Sequence, residues 1–210
     1  MIGIIDYGSG NIFSVSNALK KLNIDNFVLK ESSQIKNYST IILPGVGNFK
    51  SCISKFREKN FMEPTLDHVS KGKKLIGICV GMQMLFDSSE ENGLTNGMSL
   101  LEGKVTLLKP NQDNLNNNLR LPNMGWSTIQ KNNKNETVKK YFENIHSLDF
   151  YFAHSYACRL KNKTNEIASN KYGDEEYSCL VGKNNIIGIQ FHPEKSGPSG
   201  LQVLKNIILN

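Results

Sequence analysis

Cys79 stands in the run Gly77-Ile78-Cys79-Val80-Gly81, and His192 and Glu194 stand in Gln190-Phe191-His192-Pro193-Glu194. A thiol, an imidazole and a carboxylate are the groups that nucleophilic catalysis combines: the thiolate attacks, the imidazole moves the proton, and the carboxylate fixes the imidazole's tautomer and orientation. Gly-x-Cys-x-Gly, placed after an apolar strand and before a helix, has the layout of a nucleophile elbow, in which the flanking positions must lack bulk. Backbone N–H groups and the dipole at the start of a helix favour thiolate over thiol there, and the Val80 N–H becomes a natural donor to an oxyanion. By itself Cys79 can equally be a small hydrophobe closing a core strand. The paired glycines and a histidine with a carboxylate two residues on favour the nucleophile. In an extended chain the side chains of His192 and Glu194 project to one side, and Pro193 is expected to hold that segment extended.

Pro44-Gly45-Val46-Gly47 follows a second apolar run and lies at the same sheet edge as Cys79 if the two strands are parallel. Glycines there permit close approach and peptide reorientation, which suits a second oxyanion donor, although such Pro-Gly pairs also serve simply as turns. His68, within a predicted helix, and His146, in a polar approach to a strand, are expected to be solvent-exposed; His154 ends a strand and can face the site. No histidine pair has metal-ligand spacing, and Cys52, Cys79, Cys158 and Cys179 form no Cys-x-x-Cys pair. No metal and no cofactor are expected.

The elements that must position these groups are short. Residues 2–6 form an apolar run meeting the turn-rich Tyr7-Gly8-Ser9-Gly10-Asn11, after which Ile12, Val15, Leu19 and Leu22 recur at helical spacing. Residues 40–43 and 74–78 open two further strand-loop-helix units, the last with a helix expected over residues 81–86. Such alternation predicts an α/β fold, a central mostly parallel sheet flanked by helices. From about Gly103 the texture changes: residues 105–108, 127–129, 150–153 and 186–191 read as strands without a long helical period between them, so some antiparallel pairing is expected in the second half. Residues 111–118 and 131–136 read as surface loops. A final helix is expected to begin near Ser199, with Ser199 and Gln202 as a capping box and Leu201, Leu204 and Ile208 as its buried stripe.

The chain has 210 residues and is 39% hydrophobic, enough to bury one sizeable core, so a single domain over residues 1–210 is expected. Its formal charge of +6 comes from scattered lysines with no aromatic interleaving, which argues for a basic surface and against nucleic-acid binding. No run approaches the about 20 apolar residues that cross a bilayer, and the amino terminus reads as a strand, so a cytoplasmic protein without membrane contact is expected.

Together the segments at residues 5–11, 44–47, 77–83, 124–126, 151–156 and 190–196, with Gly200-Leu201, resemble the class I, triad-type glutamine amidotransferases, whose fold is flavodoxin-like. Within that family they are most similar to the glutaminase subunits of imidazole glycerol phosphate synthases; His-Pro-Glu-Lys-Ser with Tyr-Phe-x-His-Ser-Tyr is the more specific part. The resemblance implies that Cys79 attacks the side-chain amide of L-glutamine, with His192 as acid and base and Glu194 orienting it. It implies that Val80 and the strand Gly45–Val46–Gly47, through Gly47, supply oxyanion donors, and that Gly45, Gln83, Glu91, Ser155 and Tyr156 lie around the substrate, with Glu90 adjacent to Glu91 as a second carboxylate. It further implies a heterodimer with a barrel-shaped cyclase that receives ammonia for histidine biosynthesis, with Asn123, Trp126 and Lys195 on or near the interface. Where the family usually has histidine before Met124-Gly125-Trp126 and asparagine after it, this chain has Asn123 and Ser127. Those departures keep open a second acceptor, an enzyme amidinating a surface polysaccharide or flagellar sugar. A non-catalytic subunit of the same fold is the remaining alternative, against which the presence of all three triad residues counts.

Overall fold

The computed structural model describes residues 1–111 and 119–210. The first half is built from strand-helix units: β1 (Ile2–Ile5), α1 (Ile12–Lys21), β2 (Asn26–Leu29), β3 (Thr40–Gly45), α2 (Phe49–Glu58), α3 (Met62–Ser70), β4 (Lys74–Cys79) and the single turn α4 (Val80–Gln83). Strands then dominate, as β5 (Phe86–Ser89), β6 (Thr95–Asn96), β7 (Leu101–Leu107), β8 (Asn123–Lys131), the short α5 (Thr137–Tyr141), β9 (Asp149–His154), β10 (Tyr156–Leu160), β11 (Glu166–Tyr172), β12 (Glu175–Lys183) and β13 (Ile186–Ile189). The chain closes with α6 (Gly197–Leu209).

Nine strands form one mixed sheet in the order β2-β1-β3-β4-β13-β12-β11-β8-β9. The pairs from β2 through β13 are parallel, and those from β13 through β9 antiparallel. A second sheet, β10-β7-β5-β6, packs beside it. The parallel strands are continuous apolar runs because helices cover both faces: β1, β3 and β13 are buried at every position, and β4 at all but Lys74. The helices bury one face each at 3.6-residue spacing, through Val15, Ala18 and Leu19 in α1 and Phe49, Cys52, Ile53 and Phe56 in α2. Asn11 and Asn48 cap those helices, their side-chain oxygens accepting from the N–H groups of Ser14 and Ser51.

Several local expectations are corrected. The apolar stretch after Cys79 is helical only over Val80–Gln83, and Phe86 already opens β5; Met82, Met84, Leu85 and Phe86 are all buried, so the stretch has no exposed face to mark a period. The last helix begins at Gly197 with Ser196 as its cap, and Ser199 Oγ instead accepts from the Ser147 N–H, so the proposed capping box does not form. The buried stripe of α6 is Gly200, Val203, Leu204 and Ile207, with Leu201 and Ile208 at its margins. Residues 132–136 form a turn-rich connection, whereas the loop expected over residues 111–118 lies, apart from Asn111, outside the described residues. No helix is long and apolar enough to cross a membrane among the described residues.

Candidate active site

Three neighbouring parallel strands deliver the predicted chemistry to one edge. Register pairs Gly45 at the end of β3 with Cys79 at the end of β4, and Ile189 at the end of β13 with Ile78. The residues leaving these carboxyl ends are Val46-Gly47, Val80 and Gln190 to Glu194, the place where open α/β sheets bind ligands. A cavity of about 180 Å³ opens there, bordered by Val46, Gly47, Cys79, Val80, Gln83, Glu91, His154, Ser155, Tyr156, His192 and Lys195, together with Ala153.

Cys79 has φ 55° and ψ −114°, a conformation that a residue with a side chain rarely adopts. Steric crowding explains the glycines around it. A Cβ at Gly77 would stand 2.6 Å from the Gly81 carbonyl oxygen, and one at Gly81 would intrude on the Leu43 carbonyl of β3. The turn lifts the thiol to the head of α4, where the N–H groups of the first turn lack helical acceptors. Gln190, fully buried one residue past β13, directs Nε2 to within 3.9 Å of Cys79 Sγ.

His192 is buried, hydrogen-bonds to Glu194 and borders the same cavity as Cys79. Its Nδ1 donates to Glu194 Oε1 at 2.9 Å, which leaves Nε2 for the cysteine. Burial opposes charge on this imidazole, but the influence of Cys79 and Glu194 beside it outweighs burial, and its pKa is pushed up to about 10. The pairing does not arise from an extended segment as expected: Pro193–Lys195 is a 3₁₀ turn, which brings the carboxylate back toward the ring. Ser196 secures the turn, its Oγ donating to the His192 carbonyl at 2.6 Å and accepting from the Tyr151 N–H at 2.9 Å.

Around Cys79, His192 and Glu194, Glu91 accepts from the Phe49 N–H at 2.7 Å and has its pKa raised by burial, against the effect of that hydrogen bond. The adjacent Glu90 is exposed and does not border the cavity. Gln83 is buried, and its Nε2 is spent on the Tyr156 carbonyl at 2.9 Å and Gln190 Oε1 at 3.2 Å. His154 borders the cavity as anticipated; Nδ1 donates to the Tyr156 carbonyl at 2.8 Å and Nε2 meets the Tyr177 hydroxyl at 3.0 Å. Burial first, and then the charge of His192, lower its pKa to about 4, so it is a neutral wall of the site.

Two expectations change. His68, expected on the surface, is only 2% exposed, because its Nε2 donates to the Lys74 carbonyl at 3.1 Å where β4 begins. His146 is exposed as expected. Asn123, expected at a docking face, is buried with its Nδ2 donating to the Tyr177 hydroxyl at 3.1 Å; the exposed neighbours on that strand are Met124 and Trp126. Lys195 is exposed at the mouth of the cavity, its Nζ 5.8 Å from the centre of the Tyr151 ring. The sequence marks no role for Gln190 or Ser196; the signal available for both is that they lie in the same short segment as His192.

A family model described as glutamine amidotransferase class-I matches residues 3–210. The imidazole glycerol phosphate synthase subunit HisH of Geobacillus sp. (strain WCH70) is 41% identical to this chain over 98% of it and 95% of the relative. That of Bacillus subtilis (strain 168) is 40% identical over 97% and 93%. Among solved structures, one described as PurLQS from Thermotoga maritima covers 99% of this chain and 97% of its own with a TM-score of 0.75. At 18% identity that likeness is one of fold.

Proposed function

The chain belongs to the class-I glutamine amidotransferase family, and from that premise we propose that it is the glutaminase subunit of an imidazole glycerol phosphate synthase, releasing ammonia from L-glutamine by a Cys79-His192-Glu194 triad. The observation that carries the reading is the arrangement itself: a cysteine in a positive-φ elbow and, bordering the same cavity, a histidine whose Nδ1 donates to a buried carboxylate.

Cys79 Sγ attacks the amide carbon of glutamine, and the carbonyl electron pair moves onto oxygen. The Val80 N–H, and Gly47 across the cavity mouth, stabilise that oxyanion. His192 Nε2 gives its proton to the departing nitrogen as the C–N bond breaks, leaving ammonia and a glutamyl thioester. Water, deprotonated by the same Nε2, then breaks the thioester to give glutamate and restore the thiolate. Glu194 accepts from Nδ1 throughout, so the nitrogen that gives up and takes up the transferred proton is always the one facing sulfur. Glu91 is the carboxylate placed for the substrate's ammonium group, with Gly45, Gln83, Ser155 and Tyr156 shaping the remainder of the subsite.

The full-length likeness to imidazole glycerol phosphate synthase subunits supports a cyclase as the partner that takes the ammonia, and does not favour the sugar-amidinating alternative suggested by Asn123 and Ser127. The test is Cys79→Ala assayed with the cyclase subunit. Glutamine-dependent product should fall by on the order of a thousandfold or more, while synthesis from added ammonium salt stays at the wild-type rate. Persistence of glutamate release in that variant would remove Cys79 as the nucleophile.

A further inference from the structure

We propose that Gln190 is a further residue of this reaction: its side-chain amide donates to Cys79 Sγ and holds that sulfur as the thiolate. The inference rests on the glutaminase reading above and adds to it a residue outside the triad and the substrate subsite.

Register sets the two residues side by side. Ile189, the last residue of β13, pairs with Ile78 of β4, and the next residue along each chain is Gln190 on one side and Cys79 on the other. Gln190 is fully buried, and its backbone N–H donates to the Cys179 carbonyl of β12 at 2.9 Å, so the side chain leaves from a fixed point. Its Nε2 then reaches to 3.9 Å from Cys79 Sγ.

The neighbours decide which end of the amide faces sulfur. The Tyr156 carbonyl can only accept, and it takes one proton from Gln83 Nε2 at 2.9 Å and another from His154 Nδ1 at 2.8 Å. Gln83 must therefore present its nitrogen there, and its second proton goes to Gln190 Oε1 at 3.2 Å. With that oxygen committed, Gln190 turns its nitrogen to Cys79. The opposite orientation would set two amide nitrogens against each other and an oxygen against the sulfur.

A directed N–H stabilises sulfur most when the sulfur is charged, so this contact favours thiolate over thiol. His192 supplies the opposing charge: against the effect of burial, Cys79 and Glu194 push its pKa up to about 10. Tyr7 and Cys158 also feel the sulfur's charge, but burial first raises the pKa of each, so both stay protonated. Glu91, Lys195 and the neutral His154 border the same cavity. Gln190 gives up no proton in the reaction. It keeps its N–H while the thiolate attacks the amide carbon, and it meets the negative charge that returns to sulfur when water breaks the thioester.

The experiment follows alkylation of Cys79 by iodoacetamide in the complex with the cyclase subunit, read by mass spectrometry of the peptide that carries Cys79. Gln190→Glu keeps the shape and the acceptor for Gln83 but sets a carboxylate against the sulfur, and its alkylation rate at pH 7 should fall about tenfold or more. Gln190→Met removes the amide and should lower that rate about fivefold; it decides the matter if Gln190→Glu does not fold. In both variants the deficit should narrow as pH rises to about 10, since alkali supplies the thiolate that the amide no longer favours. Glutamine turnover should fall with the alkylation rate, in kcat more than in KM. Wild-type alkylation rates across the pH range, or a loss confined to KM for glutamine, overturn the proposal and leave Gln190 as a support for Gln83. Glutamine hydrolysis that survives in Cys79→Ala would overturn the underlying reading instead, whatever the alkylation rates.

Discussion

The two histidines that border the cavity sit in opposite electrostatic states, and the difference comes from their second nitrogens. His192 faces a carboxylate and a thiol, so positive charge is compensated on both sides and its pKa is raised. His154 faces a backbone carbonyl and a phenol, is fully buried, and has its pKa lowered to about 4. The consequences for stability have opposite signs. His192 contributes stability that is fully present below about pH 6.5 and is lost as pH rises toward 10. His154 does the reverse: below about pH 6.5 the unfolded chain takes up a proton that the folded chain refuses until near pH 4, so stability falls with falling pH across that window. The limit of this effect is on the order of 3 kcal/mol. Denaturant midpoints measured from pH 7 to pH 4 should therefore decline more steeply for wild type than for His154→Gln, whatever the variant's stability at pH 7. His68, whose pKa burial also lowers, accounts for part of the slope that remains. Parallel pH profiles for the two proteins would mean that His154 is charged in the fold.

At the scale of elements, the site depends on how closely β3 passes the turn after β4. Gly81 is packed against the Leu43 carbonyl, and that carbonyl belongs to a fully buried strand that cannot move aside. Gly81→Ala should cost about 3 kcal/mol or prevent folding. Gly47→Ala meets no neighbour, so its cost is the positive φ alone, about 1 kcal/mol, while the loss of peptide freedom beside the cavity should lower turnover well beyond that. Chemical denaturation paired with glutaminase kinetics separates the two: equal stability losses, or normal turnover in Gly47→Ala, would contradict this account. The same contrast explains what could be read from the chain alone. Gly-x-Cys-x-Gly and the apolar runs of β3, β4 and β13 are legible because tight turns and doubly covered strands impose residue types directly. The stretch from Met82 to Phe86 is not, since a wholly buried run carries no period to separate helix from strand. Pro193 misleads for a related reason: a fixed φ near −65° suits the first residue of a 3₁₀ turn as well as an extended segment. In β11, the buried polar residues Ser169 and Asn170 hide a strand, because the partners that satisfy Asn170, Ser127 and Tyr177, lie elsewhere in sequence.

Over the whole molecule the mixed sheet divides the labour. Its parallel half carries the edge where the cavity with Cys79 and His192 opens, and its antiparallel half, ending in β8 and β9, carries a face of another kind. Met124 is 65% exposed and Trp126 60%, and on the neighbouring strand Tyr151 meets the Trp126 ring edge-on at 6.3 Å. Gly197, at the head of α6, lies under Trp126, so this aromatic surface adjoins the turn that holds His192 and Glu194. Lys195 connects the two, bordering the cavity while its ammonium approaches Tyr151. An exposed tryptophan with a polar rim is the kind of anchor that dominates binding energy at a protein interface. If ammonia passes from Cys79 to a cyclase docked here, Trp126 serves both as an anchor and as part of the seal. Trp126→Ala should weaken cyclase binding by about 2 kcal/mol, on the order of thirtyfold in Kd by titration calorimetry. At saturating cyclase the same variant should still release glutamate, but more than one glutamate should form per imidazole product, the excess ammonia appearing in solution. An unchanged Kd together with a one-to-one ratio would place the docking face elsewhere on the molecule.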